Sequence, residues 1–209
     1  MIITQHSRTL PGSSRAWYRA LLLLCWIGCL AGVEAQDARF TVFKGGDAIG
    51  QILTSRTIEG GRTTYETSSF TQLVMLWKQV VKSSMGAVYK DGALLSCDAK
   101  LIINGSLRDS SRMATRNDGR WAYVHPGPPH RLSTASAWTT SRMYYEEPMG
   151  QASIFVESVL QDCPLARLGP GLYELTFPNN DRNRYQYVGG RLMEVQVDRM
   201  LINLTFKRA

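Results

Sequence analysis

The residues able to do chemistry are few and scattered. His125 and His130 flank Pro126-Gly127-Pro128-Pro129, two imidazoles on one rigid loop that would touch a metal if other ligands joined them. No spaced Asp, Glu or Cys completes a set of the kind that zinc or copper takes. The only other histidine is His6, near the amino terminus. A Ser-His-Asp or Cys-His triad would therefore have to use this loop, and no Gly-x-Ser-x-Gly elbow accompanies it. Glu146-Glu147, between Tyr144-Tyr145 and Pro148, is the densest acidic point. Paired carboxylates hydrolyse glycosides when they face each other across a cleft, but neighbours on a strand point to opposite faces. The pair reads as a charged strand end stopped by proline. Glu157 and Glu174 add carboxylates without a pattern. Asn179-Asn180-Asp181-Arg182-Asn183 shares the composition of a calcium loop but lacks its glycine and the downstream bidentate acid, so it reads as a polar hairpin loop. No catalytic residue, metal or cofactor is assigned. A hydrolase using Glu146 or Glu157 with a loop histidine is the residual enzymatic reading.

Aromatic side chains offer more. Trp77, Trp121, Tyr123, Tyr144, Tyr173, Tyr185 and Tyr187 are spread over many segments, and Trp138 and Tyr145 add to them. Inside a barrel the first seven would form apolar walls with polar tips, suited to a lipid-like or other hydrophobic ligand. On an outer face they would stack sugars, and in a filled interior they would simply be core.

The elements that must position these residues are strands. Turn signals recur along the chain at Gly45-Gly46, Gly60-Gly61, Asp91-Gly92, Asn104-Gly105, Asp118-Gly119, Gly169-Pro170-Gly171 and Gly189-Gly190. Strand-like residues fill the intervals, which predicts an all-β, antiparallel up-and-down meander of about ten strands, closed as a barrel or strongly curled. The stretch from Arg62 to Tyr89 predicts two strands joined near Gln72 to Lys78. At Gly189-Gly190 a three-residue loop is preferred, because it puts Tyr185 and Tyr187 on the face of Met193 and Val195. After Val197 the apolar phase slips to Met200, Ile202, Leu204 and Phe206, which a bulge near Asp198-Arg199 would explain.

Residues 1–35 read as a secretory signal. Arg8, Arg15 and Arg19 precede the apolar run Ala20 to Gly32, and Val33-Glu34-Ala35 offers a cleavage site before Gln36. Thirteen apolar residues fall short of the roughly 20 that span a bilayer. Cys29 after Trp26-Ile27-Gly28 approximates a lipidation box, although Trp26 departs from its aliphatic first position. Residues 36–209 then form a single β-rich domain, without a transmembrane span. The full chain carries a net charge of +7, and without the leader's three arginines and one glutamate the balance is 21 Lys and Arg against 16 Asp and Glu. These charges alternate along the chain as on a solvated surface, unlike a nucleic-acid track. Cys97 and Cys163 remain, and two thiols in an exported chain invite one disulfide, worth about 4 kcal/mol in the chain-entropy picture. Two buried free thiols are the alternative. Asn104-Gly105-Ser106 and Asn203-Leu204-Thr205 match the N-glycosylation triplet, where turn or strand uses those residues anyway.

Several fragments occur in a familiar order. They are Gly45-Gly46-Asp47-Ala48-Ile49-Gly50, Tyr89-Lys90-Asp91-Gly92-Ala93-Leu94-Leu95, Ile103-Asn104-Gly105, Met143-Tyr144-Tyr145-Glu146-Glu147-Pro148, Ile154-Phe155-Val156-Glu157, Gly171-Leu172-Tyr173-Glu174-Leu175 and Tyr185 to Leu192. From about residue 40 to the end, the chain resembles a family of exported bacterial proteins of unknown function. The resemblance implies a signal peptide followed by one β-rich domain, with no assigned activity and no dependence on the Cys97/Cys163 pair. Similar curled sheets occur in periplasmic lipoprotein carriers, an analogy of fold alone. The readings for function are a non-enzymatic envelope protein binding a hydrophobic or amphipathic molecule, or an envelope scaffold using its outer face, with a hydrolase last.

Overall fold

Asn104 and Gly105 lie at φ 51° and 82°, and Gly189 and Gly190 at 58° and 75°. Those pairs of left-handed residues make the tight hairpin turns that match strand twist, so the chain reverses every ten residues or so. The computed structural model describes residues 33–74, 77–132, 137–199 and 202–209. Most of the expected leader, with Cys29, lies outside the described residues, while Glu34 and Ala35 already pair with Ile58 and Thr57.

The strands are β1 (Glu34–Lys44), β2 (Asp47–Glu59), β3 (Arg62–Val74), β4 (Lys78–Lys90), β5 (Ala93–Ile103), β6 (Ser106–Arg116), β7 (Gly119–Val124) and β8 (His130–Leu132). A single helical turn, α1 (Thr140–Met143), follows. The chain ends with β9 (Ser153–Val156), β10 (Gln161–Gly169), β11 (Leu172–Thr176), β12 (Arg182–Val188), β13 (Arg191–Arg199) and β14 (Ile202–Arg208). All fourteen strands belong to one antiparallel sheet, ordered from β8 down to β1 and then from β14 down to β9. It is an up-and-down meander, as the turns imply, but it is not closed: β8 and β9 are its two edges. The count exceeds ten partly because β8 and β9 have only three and four residues, too short to show an alternation.

Four hairpins share one irregularity. After a two-residue turn and two regular pairs, the returning strand carries an extra residue: Ile49, Leu95, Arg108 and Met193. Such bulges sharpen twist and bend the strand, which curls the sheet. The device also explains the expected loop at Gly189-Gly190, which was misjudged in length. The turn has two residues, Tyr187 pairs with Leu192, and the bulged Met193 restores phase so that Tyr185 pairs with Val195. Met193 is consequently exposed, whereas Leu192 and Val195 are buried. No bulge lies at Asp198-Arg199. Arg199 pairs with Ile202 and Val197 with Leu204 across a hairpin, so the apparent phase slip is a reversal of the chain.

The concave face holds two groups of buried side chains. One gathers Phe40, Val42 and Ile52 with Leu175, Tyr185, Leu192 and Val195. The other joins Tyr65, Ala87, Tyr89, Leu94, Cys97 and Met113 to Phe155 and Leu160. Phe40 and Leu192 are 0% exposed, and each such side chain contributes about 1.5–3 kcal/mol on burial. Cys97 and Cys163 sit in different groups as free, buried thiols, so the expected disulfide is absent. Burial raises both thiol pKa values, with nearby carboxylates (Glu157 and Asp98 for Cys97, Asp162 for Cys163) adding to it.

Candidate ligand cavity

The segment from Trp138 to Pro148 runs across the concave face, and the sequence reading of Glu146-Glu147 as a strand end is wrong. It is a capped helical turn followed by a tight turn. The Thr139 side chain accepts from the Arg142 backbone N–H and from the Tyr89 hydroxyl at 2.9 Å. The carboxylate of Glu157, 0% exposed, accepts the backbone N–H groups of Thr140 at 3.1 Å and Ser141 at 2.8 Å, and also the Thr140 hydroxyl. A carboxylate at the start of a helical turn satisfies donors that the turn itself leaves free.

Tyrosines from many strands converge on this segment. Tyr65 donates to Glu146, Tyr173 donates to Glu147 at 2.8 Å, and Tyr187 donates to the Met143 carbonyl at 2.7 Å. Tyr145 meets the Thr54 hydroxyl at 2.7 Å, and Tyr144 packs edge-on to Phe40. Arg142 grips Glu146 at 2.6 Å while lying 4.1 Å from the Trp138 ring centroid. The two carboxylates thus face different partners and share no site. His125 and His130 are exposed on their loop, with His125 Nδ1 3.3 Å from the Tyr123 hydroxyl. Among the described residues, no hydrogen bond or ion pair joins either imidazole to Glu146 or Glu157. Among the described residues, no group of three or more His, Cys, Asp and Glu is placed to hold a metal ion.

Beside the segment lies a cavity of about 560 Å³. That volume falls in the range of about 300–1,000 Å³ typical of small-molecule sites. Ile52, Tyr144, Tyr185, Val195, Val197 and Phe206 supply its apolar lining. Hydroxyls from β3, β4 and β6, including Thr67, Ser69, Ser83 and Ser111, supply part of its polar lining, joined by Lys100, Asp109, Asn183 and Arg199. Ser69 and Ser83 bond each other at 2.7 Å, and Ser111 donates to the Glu157 carbonyl at 2.6 Å. Thr67 Oγ1, Asn183 Oδ1 and Arg199 Nη1 are buried polar atoms of this lining without a hydrogen-bond partner. Burial pushes the Tyr185 phenol up to about 12, so it is a neutral hydrogen-bonding group here.

The seven aromatic candidates therefore divide. Tyr144 and Tyr185 line the cavity. Tyr173 and Tyr187 are core, stacked edge-to-face with centroids 5.8 Å apart. Trp77 is 62% exposed beyond the end of β3, and so cannot line an interior. Trp121 and Tyr123 flank the buried Ala122 on the strand and project from the convex face, where Arg116 and Arg131 lie against the Trp121 ring. Sequence reasoning missed Thr67, Ser69, Asn183 and Arg199 because it sought aromatics. Their signal was parity: Thr67 and Ser69 share a face with Tyr65, and Asn183 with Tyr185.

Residues 40–209 match the family described as a domain of unknown function, DUF6134. The chain belongs to that family. No curated protein matches it. Among solved structures, the DUF6134 chain is similar to a β-barrel-like protein of the domain of unknown function DUF1849 from Brucella abortus, with a TM-score of 0.58 and 10% identity. The match covers 83% of this chain and 94% of the other. At that identity the likeness speaks to fold alone, an opened barrel-like sheet.

Proposed function

We propose that this protein is a non-enzymatic binding protein of the cell envelope that holds a hydrophobic or amphipathic molecule in its interior cavity. The observation that carries the reading is the set of unpartnered buried polar atoms, Thr67 Oγ1, Asn183 Oδ1 and Arg199 Nη1, in a cavity whose apolar wall includes Ile52, Val195, Val197 and Phe206. A buried polar atom without a partner costs about 1–3 kcal/mol, and a bound molecule that pairs with it recovers that cost. The carboxylates of Glu146, Glu147 and Glu157, by contrast, are engaged in holding the inner segment in place, which favours a binding role over hydrolysis. Export rests on the leader pattern of residues 1–35.

Native mass spectrometry of the full chain purified from its own cells tests the reading. A reproducible added mass, released by organic solvent and reduced in a cavity-filling Val195→Trp variant, is the expected result. Protein that carries nothing, and takes up nothing from a total lipid extract of those cells, overturns it.

The convex face supports a second reading, a scaffold. Trp121, with Arg116 and Arg131 against its ring and Tyr123 two residues away, forms a half-buried aromatic and basic surface of the kind enriched at protein interfaces. Loss of a co-purifying protein in an Arg116→Glu, Trp121→Ala variant, with cavity binding absent in both, would favour it.

A further inference from the structure

Two of the three unpartnered polar atoms of the cavity, those of Asn183 and Arg199, lie at one end. Ser69 and Ser83 bond each other, and Ser111 and Thr140 bond Glu157, which leaves Thr67 Oγ1 as the unpartnered polar atom of that wall. At the β12–β13 end the situation differs. Arg199 lies over the Phe177 ring at 4.6 Å and gives Nε to Asp181 at 3.3 Å. Its Nη1 is buried and without a partner. Asn183, two residue pairs further along the ladder, stands opposite Val197 and bonds the Tyr185 hydroxyl through Nδ2 at 3.3 Å. A half-turn of that amide keeps the bond to Tyr185 through Oδ1 and presents Nδ2 to the cavity. Two donors would then face the same space.

Exposure along β13 gives this end a direction. The Arg199 side chain is 33% exposed, Val197 is 8% and Val195 is 1%. Charge therefore stands at the mouth and apolar surface behind it. Lys100 and Asp109, which also line the cavity, carry opposite charges. Asp181 leaves part of the guanidinium fork free, and a planar guanidinium binds carboxylate or phosphate through two adjacent N–H groups.

We propose, resting on the reading of this cavity as a ligand site, that it selects single-chain amphipathic anions. The head group, a carboxylate or phosphate, is held by Arg199 Nη1 with Asn183 beside it. The chain runs inward past Val197 and Val195 towards Phe206 and Ile52.

Equilibrium binding of palmitate, hexadecyl phosphate and hexadecanol to the delipidated full chain separates the possibilities, since the three share a sixteen-carbon tail. Either anion is expected to bind the wild type about tenfold or more tightly than the alcohol, as one charge-assisted hydrogen bond implies. Arg199→Gln is expected to remove that preference and Arg199→Lys to keep part of it. Hexadecanol binding the wild type as tightly as both anions, a comparison that needs no variant, overturns the inference and leaves the carrier reading standing. A preference that survives in Arg199→Gln does the same. If none of the three probes binds, both the inference and the reading beneath it fall.

Discussion

The Tyr65 hydroxyl donates a 2.5 Å hydrogen bond to Glu146, joining β3 to the inner segment across 81 residues of sequence. Burial alone would raise the Glu146 pKa, but hydrogen bonds from Arg142 and Tyr65 outweigh it and hold the carboxyl below its ordinary value of 4.5. The bond therefore stabilises the fold while Glu146 is ionised, and its contribution is lost as pH falls below about 4.5 through the folded-state value. Tyr65→Phe should cost about 1–2 kcal/mol at neutral pH. In urea titrations the gap between variant and wild type should narrow at acid pH; a gap independent of pH would refute the assignment.

Of the side chains that hold the inner segment, Glu157 should be the costliest to remove. Glu157→Leu strands the N–H groups of Thr140 and Ser141 in the core, a loss of roughly 3 kcal/mol or more. Glu157→Gln keeps one acceptor oxygen and should lose less. Denaturant midpoints at constant slope measure the difference, and equal losses for the two variants would show that the carboxylate does not cap the turn.

Two strand glycines should respond oppositely to alanine. A Cβ on Gly50 would run into the Phe70 carbonyl and the Thr71 backbone of the neighbouring strand, so Gly50→Ala should destabilise by about 2 kcal/mol. A Cβ on Gly86 would meet the Tyr65 carbonyl oxygen at an ordinary 3.4 Å. Gly86→Ala should be neutral or stabilise by up to about 1 kcal/mol through the unfolded chain. Thermal unfolding of both variants checks the pair.

Both thiols should be silent in the native protein. Cys97 and Cys163 are 1% exposed, and burial keeps them protonated, so a disulfide-exchange reagent should label neither before unfolding and both afterwards. Rapid labelling of the folded chain, or an intact mass lacking two hydrogens, would show the assignment to be wrong.

Much of the sheet was legible because its turns are written in residue types. Asp91-Gly92 and Asn104-Gly105 demand left-handed backbone, and Tyr173, Leu175, Tyr185 and Tyr187 alternate with polar neighbours. The inner segment was not legible. Thr140–Met143 makes one helical turn, too short for a 3.6-residue period, and its capping acid Glu157 lies 17 residues away. The bulges were hidden for a related reason. A single extra residue such as Met193 leaves the composition unchanged and shows only when the partner strand is known. Cavity residues were missed because Thr67 and Ser69 look like ordinary strand polar residues until the curl of the sheet turns them inward.

The pairing of β1 with β14, Phe40 opposite Arg208, places both ends of the described domain side by side in the middle of the sheet. Every other ladder joins strands that follow each other in sequence, so this one spans the largest loop of any strand pair. A circular permutant, with a short linker from Ala209 to Glu34 and new ends between Leu132 and Ala137, would convert the domain into an uninterrupted meander from β9 to β8. Its contact order falls while every strand pair is kept. Such a chain should refold faster than the natural one at similar stability, and the open seam between β8 and β9 becomes the place where the polypeptide begins and ends.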